Sequence, residues 1–435
     1  MNSYLNQSNS LKLVQQFGPS LEKRIRDFLG WNTGRLAYYQ DSENTYDVQV
    51  DGYFGTSSDP TAFVSVTYCS PDKPGHSNEN KLQLKLGELM LLKSRYPSIK
   101  GILVIGGTRQ AWLAYVLEAF EYFFDEVIYT WEPTFEARML NLKNGVISIQ
   151  GQHSQVWEQL SKEWASITLS YDEPIDSYLR ENAWNYMKDN GAEGLLPENI
   201  KSPIIRECMS VAYQTSLRSR NRNGKEWTNY LNQDWDKLWE SRSYFNPGEA
   251  VIELILKNSG YAYQGGIAKD VTVPSLIHHL GGENVDKTKV SEDFILFSQK
   301  LNRPIFIQSK STGGGRDRHG KNIQNRTKEQ IARSLFYRGY IKDNSIFLRE
   351  KDFVWIGVLD GDWGVTKKTA HKYIHMLQWA GYDKLIAADS LSTEALDVEY
   401  TNQLSNYLDT LDCVKDPLVF NELWSAWLQE RIFRK

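Results

Sequence analysis

Cysteine is nearly missing from this chain: three residues in 435, Cys69, Cys208 and Cys413, scattered far apart. That excludes a disulfide framework and leaves no spacing suited to a structural zinc site. Long apolar runs are also missing, and none approaches the roughly 18 residues needed to span a bilayer. Met1–Ser10 is polar and lacks the basic-then-apolar layout of a signal peptide. The expectation is a reducing, cytoplasmic protein with no membrane partner. Charge of one sign is lacking too: 50 Lys and Arg stand against 54 Asp and Glu, a formal net charge of -4. A histone-like chain coated in lysine is thereby disfavoured, although local clusters rather than totals contact polyanions. Metal and nucleotide motifs are equally sparse. His278-His279 and His371/His375 have no third ligand at a useful spacing, and Gly313–Gly315 is not followed by the Gly-Lys-Ser/Thr of a Walker loop.

What is present in abundance is aromatic side chain, 13% of the sequence, spread along the whole chain where it fills cores and covers helix faces. The length suits two or three domains. Two segments carry the same order of elements with little sequence likeness. In the first, Tyr46–Phe54 and Ala62–Tyr68 alternate as half-buried strands. Asn80–Ser94 follows, with Leu82, Leu86 and Leu89 on one helical face. Then come a buried strand at Ile99–Ile105, a helix over Arg109–Phe124 and a strand at Glu126–Trp131. In the second, Asp293–Ser298 and Pro304–Lys310 form a hairpin, followed by a helix from about Ile323 to Tyr340. A strand at Phe353–Leu359, a helix over Lys367–Ala380 and a strand at Lys384–Ala388 complete it. This pattern predicts an α/β protein with two mixed sheets flanked by helices. Residues 151–245, rich in tryptophan and polar side chains, read as a helical connector between them. The expected domains are therefore 1–150, 151–245, 246–400 and a helical tail over 401–435.

The second hairpin carries the chemistry. Gln308 and Lys310 lie two apart on one strand and so share a sheet face, and the hairpin brings Asp293 beside them. A carboxylate, an amide oxygen and an ammonium then surround one small volume. Mg²⁺ takes oxygen ligands of this kind, and a neighbouring lysine orients water or balances charge on a phosphate. The loop that follows, 311–321, has three glycines for close backbone approach and Arg316, Arg318, His319 and Lys321. Asn322, Gln324, Asn325, Arg326 and Lys328 extend this polar and basic surface onto the next helix, whose N-terminus also favours anions. In the connector, Ser216–Trp227 concentrates Arg218, Arg220, Arg222 and Lys225, equally suited to a DNA contact and to a solvated helix end.

Hairpin, acid-x-Lys strand, then helix resembles the core of the PD-(D/E)XK superfamily, especially type II restriction endonucleases, over roughly residues 246–400. The resemblance implies that Asp293 and Gln308 bind Mg²⁺ and that Lys310 assists attack of water on phosphorus, leaving 5′-phosphate ends. Gln308 departs from the usual Asp or Glu, which removes one negative charge; Glu253 and Glu292 are further carboxylates near the hairpin. The first segment is also similar, with Asp51 at the place of the metal-binding Asp but Ser65-Val66-Thr67 where acid-x-Lys is expected. It reads as a degenerate, nuclease-like domain kept for DNA recognition. The rival is a second active site using Glu79, Lys81, Lys85 or Glu88 from the following helix.

The resulting expectation is a sequence-specific, Mg²⁺-dependent endonuclease that cuts double-stranded DNA to restrict foreign DNA. A second copy of the chain and a cognate DNA methyltransferase are candidate partners. The alternatives are a repair or modification-dependent nuclease, and a non-catalytic DNA-binding protein built on inactive nuclease folds.

Overall fold

In the computed structural model the described residues are 11–40, 42, 45–69, 78–147, 154–167, 247–266, 270–274, 289–312, 319–342, 345–348, 350–361, 376–388 and 401–433. The chain divides into two compact units. Unit 1 comprises Met1–Thr168, Ser275–Thr288 and Lys328–Arg349; unit 2 comprises Leu169–Pro274, Lys289–Thr327 and Glu350–Lys435. Among the described residues no helix is long and apolar enough to cross a membrane.

Unit 1 runs α1 (Leu11–Leu29), β1 (Asn32–Gln40), β2 (Thr45–Gly55), β3 (Pro60–Tyr68), α2 (Asn78–Arg95), β4 (Lys100–Gly106), α3 (Ala114–Phe123), β5 (Glu126–Tyr129), α4 (Phe135–Lys143) and α5 (Ser154–Ala165). Its sheet has the order β1-β2-β3-β4-β5, antiparallel up to β3 and parallel from β3 to β5. Strand alternation sends Val64 and Val66 to the face where Leu21, Ile25 and Leu29 of α1 pack, with Ile102, Val104 and Ile128 beside them. Each such buried aliphatic side chain contributes about 1.5–3 kcal/mol. Ser65 and Thr67 take the opposite face.

Unit 2 runs α6 (Pro247–Ser259), β6 (Gln264–Gly265), β7 (Val271–Pro274), β8 (Lys289–Glu292), β9 (Phe294–Ser298) and β10 (Arg303–Thr312). Helix α7 (His319–Arg338) follows; its residues from Lys328 onward count with unit 1, as do those of the next ribbon, β11 (Gly339–Lys342) and β12 (Ser345–Leu348). Unit 2 resumes with β13 (Val354–Gly361), a helical turn at 376–380, β14 (Lys384–Ala388), α8 (Thr401–Thr410) and α9 (Pro417–Phe433). The sheet order is β6-β9-β10-β13-β14, with the same sequence of antiparallel and parallel pairs as unit 1.

The α/β architecture with two mixed five-stranded sheets agrees with the sequence reading. Several elements differ in detail. Strand β1 has no counterpart in that reading, because only Leu36 and Tyr38 are buried along it and two register shifts interrupt its pairing. The helix expected from about Ile323 to Tyr340 begins at His319 and ends at Arg338, and Tyr340 lies in β11. Within 401–435 the chain forms α8 and α9. Leu404 and Leu408 join the unit 2 core with Ile305, Ile307 and Ile356, and Trp424 and Trp427 set their rings edge-on to Phe306 at 6.3 and 5.7 Å. Of the connector over 151–245, α5 is helical and counts with unit 1; the remainder lies outside the described residues.

Candidate active site

Asp293 occupies a bend between β8 and β9, one residue before the strand that the sequence pattern began with it. The β9–β10 ladder pairs Ile307 with Phe294, so the next residue on each strand brings Asp293 against the Gln308–Ser309 peptide. There Oδ2 of Asp293 accepts a hydrogen bond from the Ser309 backbone N–H at 2.5 Å and another from Gln308 Nε2 at 2.5 Å. Asp293, Gln308 and Ser309 are buried, whereas Lys310 is half-buried. The carboxylate and the amide thus meet as the sequence spacing required, and the strand period sets Lys310 on the face of Gln308. Gly265 of β6 permits this bend: at φ +105° it lies so close that an added Cβ would stand 2.1 Å from the Asp293 carbonyl oxygen.

The other expected residues divide into three groups. Arg316, Arg318, Arg218, Arg220 and Arg222 lie outside the described residues, as do His278, His279, His371 and His375. His319, Lys321 and Asn322 fall in the first turn of α7, and Asn325 and Arg326 follow on the same helix, both half-buried. Lys328 departs from the expected basic surface. Its ammonium is buried and donates to Glu88 Oε2 at 3.3 Å, so it belongs to an ion pair and not to a phosphate-facing surface. Of the extra carboxylates, Glu292 ends β8 fully buried, and Glu253 pairs with Lys257 at 2.9 Å and accepts from the Tyr263 hydroxyl at 3.3 Å. Among the described residues no group of three or more His, Cys, Asp and Glu side chains is placed to hold a metal ion by itself. A cation here would rest on Asp293 and Gln308, with water and phosphate completing its shell, the sparse coordination that Mg²⁺ commonly accepts.

The same geometry recurs in unit 1. Asp51 Oδ2 accepts from the Val66 backbone N–H at 2.7 Å. Gly52 pairs with Val64 as Phe294 pairs with Ile307, so Asp51 corresponds to Asp293 and Ser65-Val66-Thr67 to Gln308-Ser309-Lys310. The correspondence continues across the sheet. Val66 pairs with Val104 and Ser309 with Val358; Ile102 pairs with Glu126 and Ile356 with Lys384. At the start of the last strand Asp125 accepts from the Gly101 N–H at 2.8 Å and bonds Lys93 at 2.9 Å. Asp383 does the same with the Trp355 N–H at 2.7 Å and Lys351 at 2.7 Å. Gly101 and Trp355 are equivalent by the strand registers, so the two aspartates are equivalent as well.

Around Asp51 the surroundings differ from those of Asp293. Helix α2 lowers Lys85 and Glu88 onto β3: Lys85 Nζ donates to Ser65 Oγ and lies 3.6 Å from Glu88 Oε2. Burial pushes the Asp51 carboxyl above its ordinary range, with Glu88 adding to the effect and Lys85 opposing it. Burial would raise Glu88 as well, but Lys85 and Lys328 outweigh it and hold its carboxyl low. Glu22 on α1 is raised by burial and by Asp51. The sequence offered Lys85 and Glu88, with Glu79 and Lys81, as helix residues for a rival site; their meeting with Asp51 and Ser65 depends on how α2 packs.

No protein-family model, no curated protein and no solved structure matches the chain.

Proposed function

We propose that this protein is a divalent-metal-dependent endonuclease that hydrolyses phosphodiester bonds of double-stranded DNA at the β9–β10 site. The observation that carries the reading is the Asp293 carboxylate, anchored on the Ser309 N–H and Gln308 amide at the register that sets Lys310 alongside. Both side-chain donors are hard oxygens of the type Mg²⁺ takes, which is the fit the resemblance to PD-(D/E)XK nucleases requires. When bound, Mg²⁺ would supply Lewis acidity at the phosphate and lower the pKa of a bound water. Asp293 and Gln308 would hold it; Gln308 turns its Nε2 to Asp293 Oδ2, so its amide would rotate to present Oε1 to the cation. Lys310 would orient the attacking water and stabilise charge gathering on the phosphate oxygens. Water attack in line with the 3′ oxygen leaves a 5′-phosphate. Arg316, Arg318 and the first turn of α7 would hold the DNA backbone.

Restriction of foreign DNA, with a methyltransferase protecting the host, is the setting this reading favours. Incubating the purified protein with unmodified and methylated phage DNA and Mg²⁺, then sequencing the ends, tests both levels. Defined ends carrying 5′-phosphates on unmodified DNA alone are expected. Binding without breakage under any divalent metal would leave a non-catalytic DNA-binding protein.

A further inference from the structure

The register equivalence leaves unit 1 with an apparent deficit: at the places of Gln308 and Lys310, β3 offers only Ser65 and Thr67. Helix α2 supplies the missing groups from the side. Lys85 reaches Ser65 Oγ, and Glu88 stands within ion-pair distance of Lys85. An acid and an amine thus approach the strand beside Asp51, as the Gln308 amide meets Asp293 with Lys310 two residues on. Glu88 is 3% exposed, and its Oε1 has no hydrogen-bond partner among the described residues. A buried acceptor without a donor costs about 1–3 kcal/mol, more when charged. Lys85 and Lys328 already meet Glu88 at Oε2, so a cation bridging Oε1 to Asp51 would supply the partner that Oε1 lacks.

We propose that unit 1 holds a second phosphodiester-cleaving centre, in which Asp51 and Glu88 bind a divalent cation and Lys85 serves the attacking water. This rests on the nuclease reading of unit 2 and gives the second centre the same substrate class, a DNA phosphodiester. Two carboxylates suffice for Mg²⁺ when phosphate and water complete the shell. In the step a water oxygen bonds to phosphorus and the bond from phosphorus to the 3′ oxygen breaks with its electron pair. One water proton passes to that leaving oxygen and the other to solvent.

The test uses the full chain and the variants Asp51→Asn, Glu88→Gln and Lys310→Ala, with folding checked by thermal melting. Asp51→Asn keeps an acceptor for the Val66 N–H, so it remains informative if Glu88→Gln fails to fold. Strand-resolved sequencing of cut supercoiled plasmid is read beside Mn²⁺ binding by electron paramagnetic resonance. The proposal expects each unit 1 variant to lower cleavage of one strand by about a hundredfold or more, with loss of one Mn²⁺ equivalent. Lys310→Ala should spare that strand and stop the other. Folded Asp51→Asn that cuts both strands and binds Mn²⁺ as the parent does would overturn it. Should the parent protein cut no DNA, the nuclease reading fails. Mn²⁺ binding then decides alone whether unit 1 holds a cation: an equivalent lost in Asp51→Asn supports the centre, and none lost removes it.

Discussion

Units 1 and 2 share a sheet order, a strand register and two aspartate anchors, yet they place their chemistry differently. In unit 2 the strand itself carries the amide that meets Asp293 and, two residues on, the amine of Lys310. In unit 1 the strand carries small hydroxyl residues, and the charged groups arrive from α2. In both units a backbone N–H fixes the carboxylate, whereas the side chains that meet beside it come from the strand in unit 2 and from the helix in unit 1.

The largest difference expected between the units concerns the paired aspartates at the last strand. Asp125 and Lys93 are both buried, and Lys93 is pushed down by burial and held up in part by Asp125. Asp125→Ala strands that ammonium and should cost roughly 3–5 kcal/mol. Asp383 is exposed and Lys351 only half-buried, so Asp383→Ala should cost about 1–2 kcal/mol, mostly the lost Trp355 hydrogen bond. Urea denaturation of the two variants checks the contrast, and equal losses would mean the two anchors are energetically alike.

A smaller effect is expected at Gly87, whose added Cβ would lie 2.0 Å from the Lys328 carbonyl oxygen. Gly87→Ala must push the backbone of Lys328 away from α2 and should destabilise unit 1 by about 1–3 kcal/mol, despite the better helix propensity of alanine. A rise in melting temperature would show that the close approach is dispensable. The smallest effect separates the connections after the two central strands, one rich in Gly and Arg and the other in Pro. Removing Arg316 and Arg318 together should weaken binding to all DNA sequences and reduce the salt slope by about one or two contacts. An unchanged slope would reduce the loop to a solvated turn.

The sheets were legible in the sequence because their central strands are short Val/Ile runs closed by turn residues, and the helices because Leu82, Leu86 and Leu89 repeat on one face. Strand β1 was not, since its pairing depends on β2 more than on any alternation of its own. Asp293, Gln308 and Lys310 were visible because a hairpin's register follows from strand period. The Lys85–Glu88–Asp51 group was visible only as a possibility: helical spacing relates Lys85 to Glu88, but their approach to Asp51 and Ser65 depends on non-local packing. Lys328 misled for the same reason, since a lysine on a basic helix reads as solvent-facing until its acidic partner is seen. The anchors Asp125 and Asp383 gave no sequence signal, because each bonds the backbone of a neighbouring strand more than twenty residues away.

Hydrolysis beside Asp293 would depend on Lys310. Single-turnover linearisation of supercoiled plasmid in Mg²⁺ by Lys310→Ala, read beside equilibrium binding to the same DNA, tests it most directly. Linearisation slowed by about a hundredfold or more is expected, with binding close to that of the parent protein. Linearisation at the parent rate would contradict it and move the chemistry away from β10.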